Sequence, residues 1–136
     1  MTVIVCISDG GGMLFNNRRQ SKDSLLIENV SLLVGDGTLY VSSFSERLFE
    51  NSSLCTIVAS DPLKTADRED FVFVENLLLL EYKEKIDRLV IYKWNRLYPF
   101  DFRLDINPQK EGMKLCDVLE FEGSSHKKIT REIWER

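Results

Sequence analysis

The sequence predicts an α/β fold with a mixed central sheet, and three patterns lead to this prediction. Strand-like and helix-like segments alternate at short intervals through the first two thirds of the chain. Residues 2–8 are apolar almost without interruption, as in a strand buried on both faces of a parallel sheet. Near the end, residues 114–121 and 127–134 alternate apolar and polar side chains, which is typical of an antiparallel hairpin. We therefore expect parallel pairing first and antiparallel pairing last.

The first strand leads into a glycine-rich, polar and cationic segment that ends at Asp23. Three glycines at 10–12 are a turn signal, and we expect a mobile loop from there to the first helix. Residues 24–33 have the pattern of a helix, with Ser21 or Asp23 available as its N-cap. Because ligands of open α/β sheets usually bind beyond strand ends, this loop is the predicted site.

The middle of the chain is predicted to contain short strands and short helices. The strands are expected at residues 38–42, 53–60, 71–74, 86–94 and 101–104, and the second of these is expected to be buried. A Ser-Phe-Ser-Glu capping box at 43–46 and an Asp-Pro step at 61–62 each predict a helical turn. Asn76 is expected to cap a helix over 77–85, although the leucine run there would also fit a buried strand.

Length and composition predict one α/β domain over residues 1–136. The chain has 136 residues, enough for a core that needs no metal or disulfide. Its 43% hydrophobic and 29% charged residues are ordinary for a globular protein, and no apolar run is long enough for a membrane span. The N-terminus lacks the pattern of a secretion signal, so we expect a cytoplasmic protein. A net charge of −4 predicts no general binding to nucleic acid.

The three cysteines are expected to be free thiols. Cys6, Cys55 and Cys116 are an odd number, and each lies among apolar residues in a strand-like segment. That setting favours buried, reduced side chains over a disulfide framework.

Four features together resemble the dihydrofolate reductase fold along most of the chain. They are the first strand running into Gly-Met at 12–13, the acidic Asp23 before the first helix, the strand-to-helix step at 41–44, and the closing hairpin that ends at 133–136. The resemblance implies a single-domain three-layer sandwich with a mixed sheet. An acidic residue near the position of Asp23 binds the pterin ring and assists its protonation in that family. Asp23 is thus a candidate catalytic residue, with helix capping as the alternative.

The residues after the strand at 71–74 depart from this family. Dihydrofolate reductases have a glycine cluster there, which lets backbone amides approach the pyrophosphate of the cofactor. This chain has Glu75 followed by Asn76 and two leucines. A carboxylate repels phosphate and leucines block a close approach, so no nicotinamide-cofactor site is recognisable. The Trp-containing approach to the acidic residue is also replaced, by Phe-Asn-Asn-Arg-Arg at 15–19. The cofactor, if any, stays unassigned.

Four sequence blocks also resemble a group of small bacterial proteins, some labelled ribonuclease Z. The blocks are Gly-Met-Leu-Phe-Asn at 12–16, Arg-Arg-Gln-Ser at 18–21, Trp-Asn-Arg at 94–96 and Gly-Ser-Ser-His at 123–126. Ribonuclease Z binds two zinc ions through many histidines, whereas His126 is the one histidine of this chain. No metal site is therefore predicted.

Several polar side chains are candidates for binding an anion. Arg18 and Arg19 can hold a phosphate or carboxylate, with Asn16 beside them and Glu75 and Arg96 on neighbouring loops. The alternative for the two arginines is a solvated loop or pairing with surface acids.

The Trp-Asn-Arg block at 94–96 has two interpretations. Trp94 could stack on a planar ligand while Arg96 binds the anionic group of that ligand. We favour the other interpretation, in which Trp94 packs in the core and Arg96 pairs with a nearby acid.

The Ser-Ser-His run at 124–126 invites a serine–histidine interpretation. Neighbours in sequence seldom reach the required geometry, so a polar hairpin loop is the favoured interpretation. His126 remains a candidate as a lone acid or base.

Three functions stay open at this point. The first is binding, with or without catalysis, of a small anionic or nucleotide-like ligand at the first loop. The second is a non-catalytic interaction or structural protein, forming a homodimer or contacting another chain through exposed Met13, Leu14 and Phe15. The third is a divergent NADPH-dependent reductase.

Overall fold

The computed structural model describes residues 1–136 and contains one large and one small β-sheet. The strands of the large sheet are β1 (Thr2–Ile7), β4 (Thr38–Val41), β5 (Cys55–Val58), β6 (Phe71–Val74), β7 (Arg88–Lys93), β9 (Lys114–Phe121) and β10 (Ile129–Glu135). Their spatial order is β5-β4-β6-β1-β7-β10-β9. The first five strands in that order are parallel, and β10 and β9 are antiparallel, as the sequence predicted.

The central strand β1 explains the apolar start of the chain. It pairs in parallel with β6 on one side and β7 on the other, so both of its faces are covered. Val3 and Val5 belong to one core layer and Ile4 to the other, because side chains alternate along a strand. All three are fully buried. The sequence therefore places its most apolar strand in the middle of the sheet.

One helix covers one face of the sheet. The helix α1 (Ser24–Val34) buries Leu26, Val30 and Val34, which are four residues apart and so lie on one side of it. They pack in the same core layer as Ile4. The predicted helix at 24–33 is therefore confirmed. The opposite face is covered by short pieces: the helix α2 (Pro62–Thr65), a 3-10 helix over Leu80–Lys85, and residues 104–113.

The predicted loop after β1 is instead a small antiparallel sheet. It consists of β2 (Gly12–Phe15), β3 (Arg18–Arg19) and β8 (Phe102–Arg103), in the order β3-β2-β8. Asn16 and Asn17 join the first two strands, and their φ angles of 51° and 60° are those of a tight hairpin turn. Met13 and Leu14 are buried, so only Phe15 of the predicted apolar loop patch is exposed.

Two predictions about strand burial are wrong. The strand β5, within the predicted buried strand at 53–60, lies at the edge of the sheet and is mostly exposed. Cys55 and Cys116 are exposed free thiols, because each lies on an edge strand, and only Cys6 is partly buried. Apolar composition alone does not distinguish an edge strand from a central one.

Two of the helix predictions are also wrong in detail. The capping box at 43–46 precedes a 3-10 helix over Glu46–Phe49, but the Ser45 side chain makes no capping hydrogen bond. Residues 77–79 are not helical, and Asn76 caps nothing; the 3-10 helix begins only at Leu80. Asp105 accepts hydrogen bonds from the N–H groups of Leu79 and Leu80 instead, at 2.7 and 3.0 Å.

The hydroxyl of Tyr92 fixes α1 against the sheet, which predicts a measurable cost for its removal. This buried hydroxyl donates to Asn29 Oδ1 at 2.6 Å. Tyr92→Phe should lower the free energy of unfolding by about 1 kcal/mol, because Asn29 loses that donor. Urea denaturation measures the change. Tyr40→Phe is the matched control, since Tyr40 is half-buried and its hydroxyl has no partner; equal losses in both variants would contradict the prediction.

Candidate functional site around Asp23 and His126

Asp23 joins the start of α1 to the loop between β9 and β10. Its Oδ1 accepts hydrogen bonds from the N–H groups of Leu25 and Leu26, so it is the N-cap, as predicted. The same oxygen accepts from the N–H of Ser124 at 2.9 Å, and Oδ2 accepts from the N–H of Ser125 at 2.9 Å. One buried carboxylate therefore binds two segments about a hundred residues apart in sequence.

His126 lies in the hairpin loop between β9 and β10, as predicted, but its side chain is buried against this carboxylate. Its Nδ1 lies 2.9 Å from Asp23 Oδ2, and its side chain is only 2% exposed. Its Nε2 faces the opposite way and lies 3.1 Å from Ser21 Oγ and 3.0 Å from the hydroxyl of Tyr98. The Trp94 ring stacks on the imidazole with ring centroids 4.5 Å apart. The ring is thus held on one face and at both nitrogens.

Opposing effects act on the ionisation of Asp23. Burial raises the pKa of its carboxyl group, but the hydrogen bonds from Ser125, His126, Ser124 and Leu26 lower it more. The net result is a pKa well below the ordinary value for an aspartate. Asp23 is therefore a carboxylate at neutral pH.

A salt bridge between Arg19 and Glu75 lies at the end of β6. The Arg19 guanidinium donates two hydrogen bonds to Glu75, at 2.6 Å from Nε and 2.7 Å from Nη2. Ser45 donates its hydroxyl proton to the same carboxylate at 2.7 Å, which is what this serine does in place of capping. Arg19 also donates to the carbonyl oxygen of Phe44. The positive charge of Arg19 is therefore neutralised by Glu75 within the protein.

Three concave regions surround these groups. A small cavity of about 20 Å³ has Ser21, Asp23, Arg19, Glu75 and Trp94 among its walls, and it has room for about one water molecule. A surface cleft of about 770 Å³ lies between α1 and residues 47–53 and shares Lys22, Asp23, Ile27 and Leu48 with that cavity. A third concavity, of about 560 Å³, lies outside the β2–β3 hairpin.

The predicted site residues are distributed over these three regions. Asn16, Arg18 and Arg19 line the concavity at the hairpin, whereas Arg19, Asp23 and Glu75 line the small cavity. Asp23 also lines the cleft beside α1. His126 contacts Asp23 directly.

The interpretation of the Trp-Asn-Arg block is half right. Arg96 is exposed, lines neither region and makes no ion pair, so its expected pairing with an acid is wrong. Trp94 is buried, as favoured, because the imidazole of His126 covers its ring.

Sequence reasoning missed Ser21 and Tyr98 as partners of His126. Ser21 was considered only as a helix cap, and Tyr98 only as part of a break between strands. The four blocks at 12–16, 18–21, 94–96 and 123–126 were the available signal, because three of them supply Ser21, Trp94 and His126 to this one place.

Comparison with known proteins identifies the architecture. No family model matches the chain, and no curated protein matches it in sequence. A solved structure does match: a dihydrofolate reductase from Enterococcus faecalis complexed with NADP(H) and RAB-propyl. The superposition has a TM-score of 0.66 at 9% sequence identity and covers 99% of this chain and 95% of that one. The chain has the dihydrofolate reductase fold. The resemblance seen in the sequence is thereby confirmed at the level of the fold.

The residues after β6 do not fit the pyrophosphate of a nicotinamide cofactor. Glu75 places a carboxylate at that point, and its hydrogen bonds to Arg19 and Ser45 fill the strand end. Further along, the N–H groups of Leu79 and Leu80 donate to the carboxylate of Asp105, so these two amides are not available to a phosphate.

Two further findings concern metal ions and membranes. No group of three or more His, Cys, Asp or Glu side chains is placed to hold a metal ion. No helix is long and apolar enough to cross a membrane.

The depressed pKa of Asp23 predicts acid sensitivity. The pKa of Asp23 is lower in the folded state than the value of about 3.9 in the unfolded state, so the ionised carboxylate stabilises the folded protein above that pH. This stabilisation is lost as the pH falls toward the folded-state pKa. Asp23→Asn should cost about 2 kcal/mol at pH 7, and this difference from the wild type should shrink as the pH falls toward 3. Urea denaturation at several pH values measures it. Asp36→Asn, in an exposed turn, is the control; a gap for Asp23→Asn that does not vary with pH would refute the prediction.

The Arg19–Glu75 pair predicts that Arg19 is needed for stability. Arg19→Ala should lower the free energy of unfolding by about 2 kcal/mol, because it leaves the buried Glu75 carboxylate without its cation. Arg18→Ala should change it little, since Arg18 is exposed and makes no ion pair. Thermal unfolding of both variants measures this, and an unchanged Arg19→Ala would show that the pair is not structural.

Proposed function

We propose that the protein binds a small anionic molecule, of about nucleotide size, in the cleft between α1 and residues 47–53. The observation that carries this proposal is the chemistry of the cleft walls. Two cations, Lys22 and Arg47, line the cleft without an ion pair, and only two of its 13 lining residues are hydrophobic. The other polar groups of the rim include Ser24, Ser31, Asn51, Ser52, Ser53 and Ser124. Hydroxyl and amide donors beside free cations suit phosphate or carboxylate oxygens.

The size and position of the cleft also support this proposal. A volume of about 770 Å³ lies within the range of small-molecule sites. Three carboxylates, those of Asp23, Glu28 and Glu50, also line the cleft, although Asp23 is bound by internal N–H groups. A ligand with both anionic and hydrogen-bonding groups therefore fits better than a bare anion. Lys22 belongs to the first loop, which the sequence analysis selected.

A cavity on the other side of the molecule has acids but no cation among its lining residues. It has a similar volume of about 810 Å³, but Asp61, Glu81 and Asp105 are its only charged lining residues. Three carboxylates without a cation repel phosphate. Of the two large surface cavities, the α1 cleft is therefore the one suited to an anion.

Thermal-shift titration with ATP, dihydrofolate and NADPH tests this proposal. We expect ATP to raise the melting temperature in a saturable way, because ligand binding stabilises the native state by mass action. Lys22→Ala and Arg47→Ala should each weaken the apparent affinity about tenfold. Lys110→Ala, far from the cleft and unpaired, should leave it unchanged. A shift that the first two variants do not alter would place the ligand elsewhere.

The fold favours a second candidate, a divergent NADPH-dependent reductase. The matched neighbour is named a dihydrofolate reductase and holds NADP(H). The acids at 75 and 105 and the absence of a phosphate cradle after β6 weigh against transferring that activity. A saturable shift with NADPH and none with ATP would favour the reductase.

An exposed edge strand favours a third candidate, an interaction or structural role. Leu115, Val118 and Leu119 of β9 are exposed at the end of the large sheet and form a larger apolar surface than Phe15. No shift with any of the three ligands, together with a dimer mass by light scattering, would favour a homodimer formed through this strand.

A further inference from the structure

We infer that Ser21, His126 and Asp23 form a nucleophile, base and carboxylate that hydrolyse small carboxylic esters. This inference goes beyond the binding proposed above and does not depend on which anion occupies the cleft. It rests on the contacts of one buried histidine, whose two ring nitrogens have different partners.

The geometry is that of an activated serine. Ser21 Oγ lies 3.1 Å from His126 Nε2, and His126 Nδ1 lies 2.9 Å from Asp23 Oδ2. Both distances are within hydrogen-bond reach, as a nucleophile and its base require. The imidazole cannot turn away, because Trp94 stacks on its face and its side chain is almost fully buried.

The surroundings of Asp23 decide which nitrogen carries the proton. The carboxylate accepts only, and the peptide N–H groups of Ser124 and Ser125 keep it ionised. The Nδ1 atom of neutral His126 must therefore hold the hydrogen and donate it to Asp23. This leaves the lone pair of Nε2 facing the hydroxyls of Ser21 and Tyr98, where it can accept the proton of Ser21.

A second serine lies at the wrong nitrogen and serves as an internal comparison. Ser125 Oγ is 3.2 Å from His126 Nδ1 and 3.3 Å from Asp23 Oδ2. The Nδ1 atom has no free lone pair in this arrangement, so it cannot activate Ser125. By distance to the histidine alone, either serine could be the nucleophile. The tautomer of His126 has its free lone pair on Nε2, so only Ser21 can be activated.

Two further groups suit the remaining steps. The Tyr98 hydroxyl lies 3.0 Å from Nε2, the atom that Ser21 Oγ also contacts, and it can turn to donate a hydrogen bond to the oxyanion. The side-chain oxygen of Gln20 is buried without a partner, and Gln20 lines the small cavity with Ser21. It can accept a hydrogen bond from the water that attacks in the second step.

The reaction balances without any redox partner. Ser21 Oγ attacks the carbonyl carbon and its proton passes to Nε2; the bond to the alcohol then breaks and the alcohol leaves with that proton. Water next attacks the acyl-serine and gives a proton to Nε2, the Oγ–carbon bond breaks, and the proton returns to Oγ. The products are a carboxylic acid and an alcohol. The cavity beside Ser21 can hold the attacking water but not the acyl group, so the ester must reach the half-buried Ser21 from the solvent side.

Covalent labelling tests the inference directly. A fluorophosphonate ester forms a stable phosphorus–oxygen bond with an activated serine and releases fluoride. We expect intact-mass analysis to show one adduct on the folded protein and peptide mapping to place it on Ser21. Ser21→Ala should abolish the adduct, whereas Ser43→Ala, an exposed serine outside the site, should keep it. Protein unfolded in urea should not react.

Hydrolysis of p-nitrophenyl acetate gives the second readout. Ser21→Ala should reduce the rate to that of buffer, and Tyr98→Phe should lower it about a hundredfold through loss of the oxyanion donor. Circular dichroism and thermal unfolding confirm that both variants are folded. An adduct on Ser125, or no adduct on folded wild-type protein, would overturn the inference, because a network that is merely structural gives no reactive serine. Neither readout requires ATP to bind, so these results stand apart from those for the cleft.

Discussion

The buried carboxylate of Asp23 is the contact on which the arrangement of the site depends. It caps α1, accepts two N–H groups from the loop between β9 and β10, and positions His126. Gly123 makes this approach feasible, because a Cβ atom there would collide with the carboxylate. A chain with a larger residue at 123 would have to displace the loop, and with it the imidazole.

The ion pair of Arg19 and Glu75 shows how one fold can hold different chemistry. The chain superposes on a dihydrofolate reductase over 99% of its length, and its large sheet has seven strands. At the end of β6, however, a bidentate salt bridge and the hydroxyl of Ser45 fill the space. The change needs only a few side chains, because the backbone of the sheet does not depend on what lies beyond its strand ends.

The sequence predicted the elements that depend on local signals. The strand β1, the helix α1 with its Asp23 cap, and the bounds of β9 follow from apolar periodicity and capping chemistry. The site was only half predictable, because Ser21 and His126 are 105 residues apart and no local pattern joins them. The capping box at 43–46 failed because the helical turn begins only at Glu46, so Ser43 does not precede its first residue, and the Ser45 hydroxyl donates to a distant partner, Glu75.

The position of β1 has a consequence for how the chain assembles. This first-made strand pairs with β6 and β7, and β7 in turn pairs with β10 at the far end of the sequence. The central strand must therefore wait for partners that are synthesised much later, which is typical of slow folding with high contact order. The imidazole of His126 arrives with the last hairpin. Ribosome-bound chains that end before residue 126 lack it, so the Asp23–His126 contact can form only after this hairpin has been synthesised.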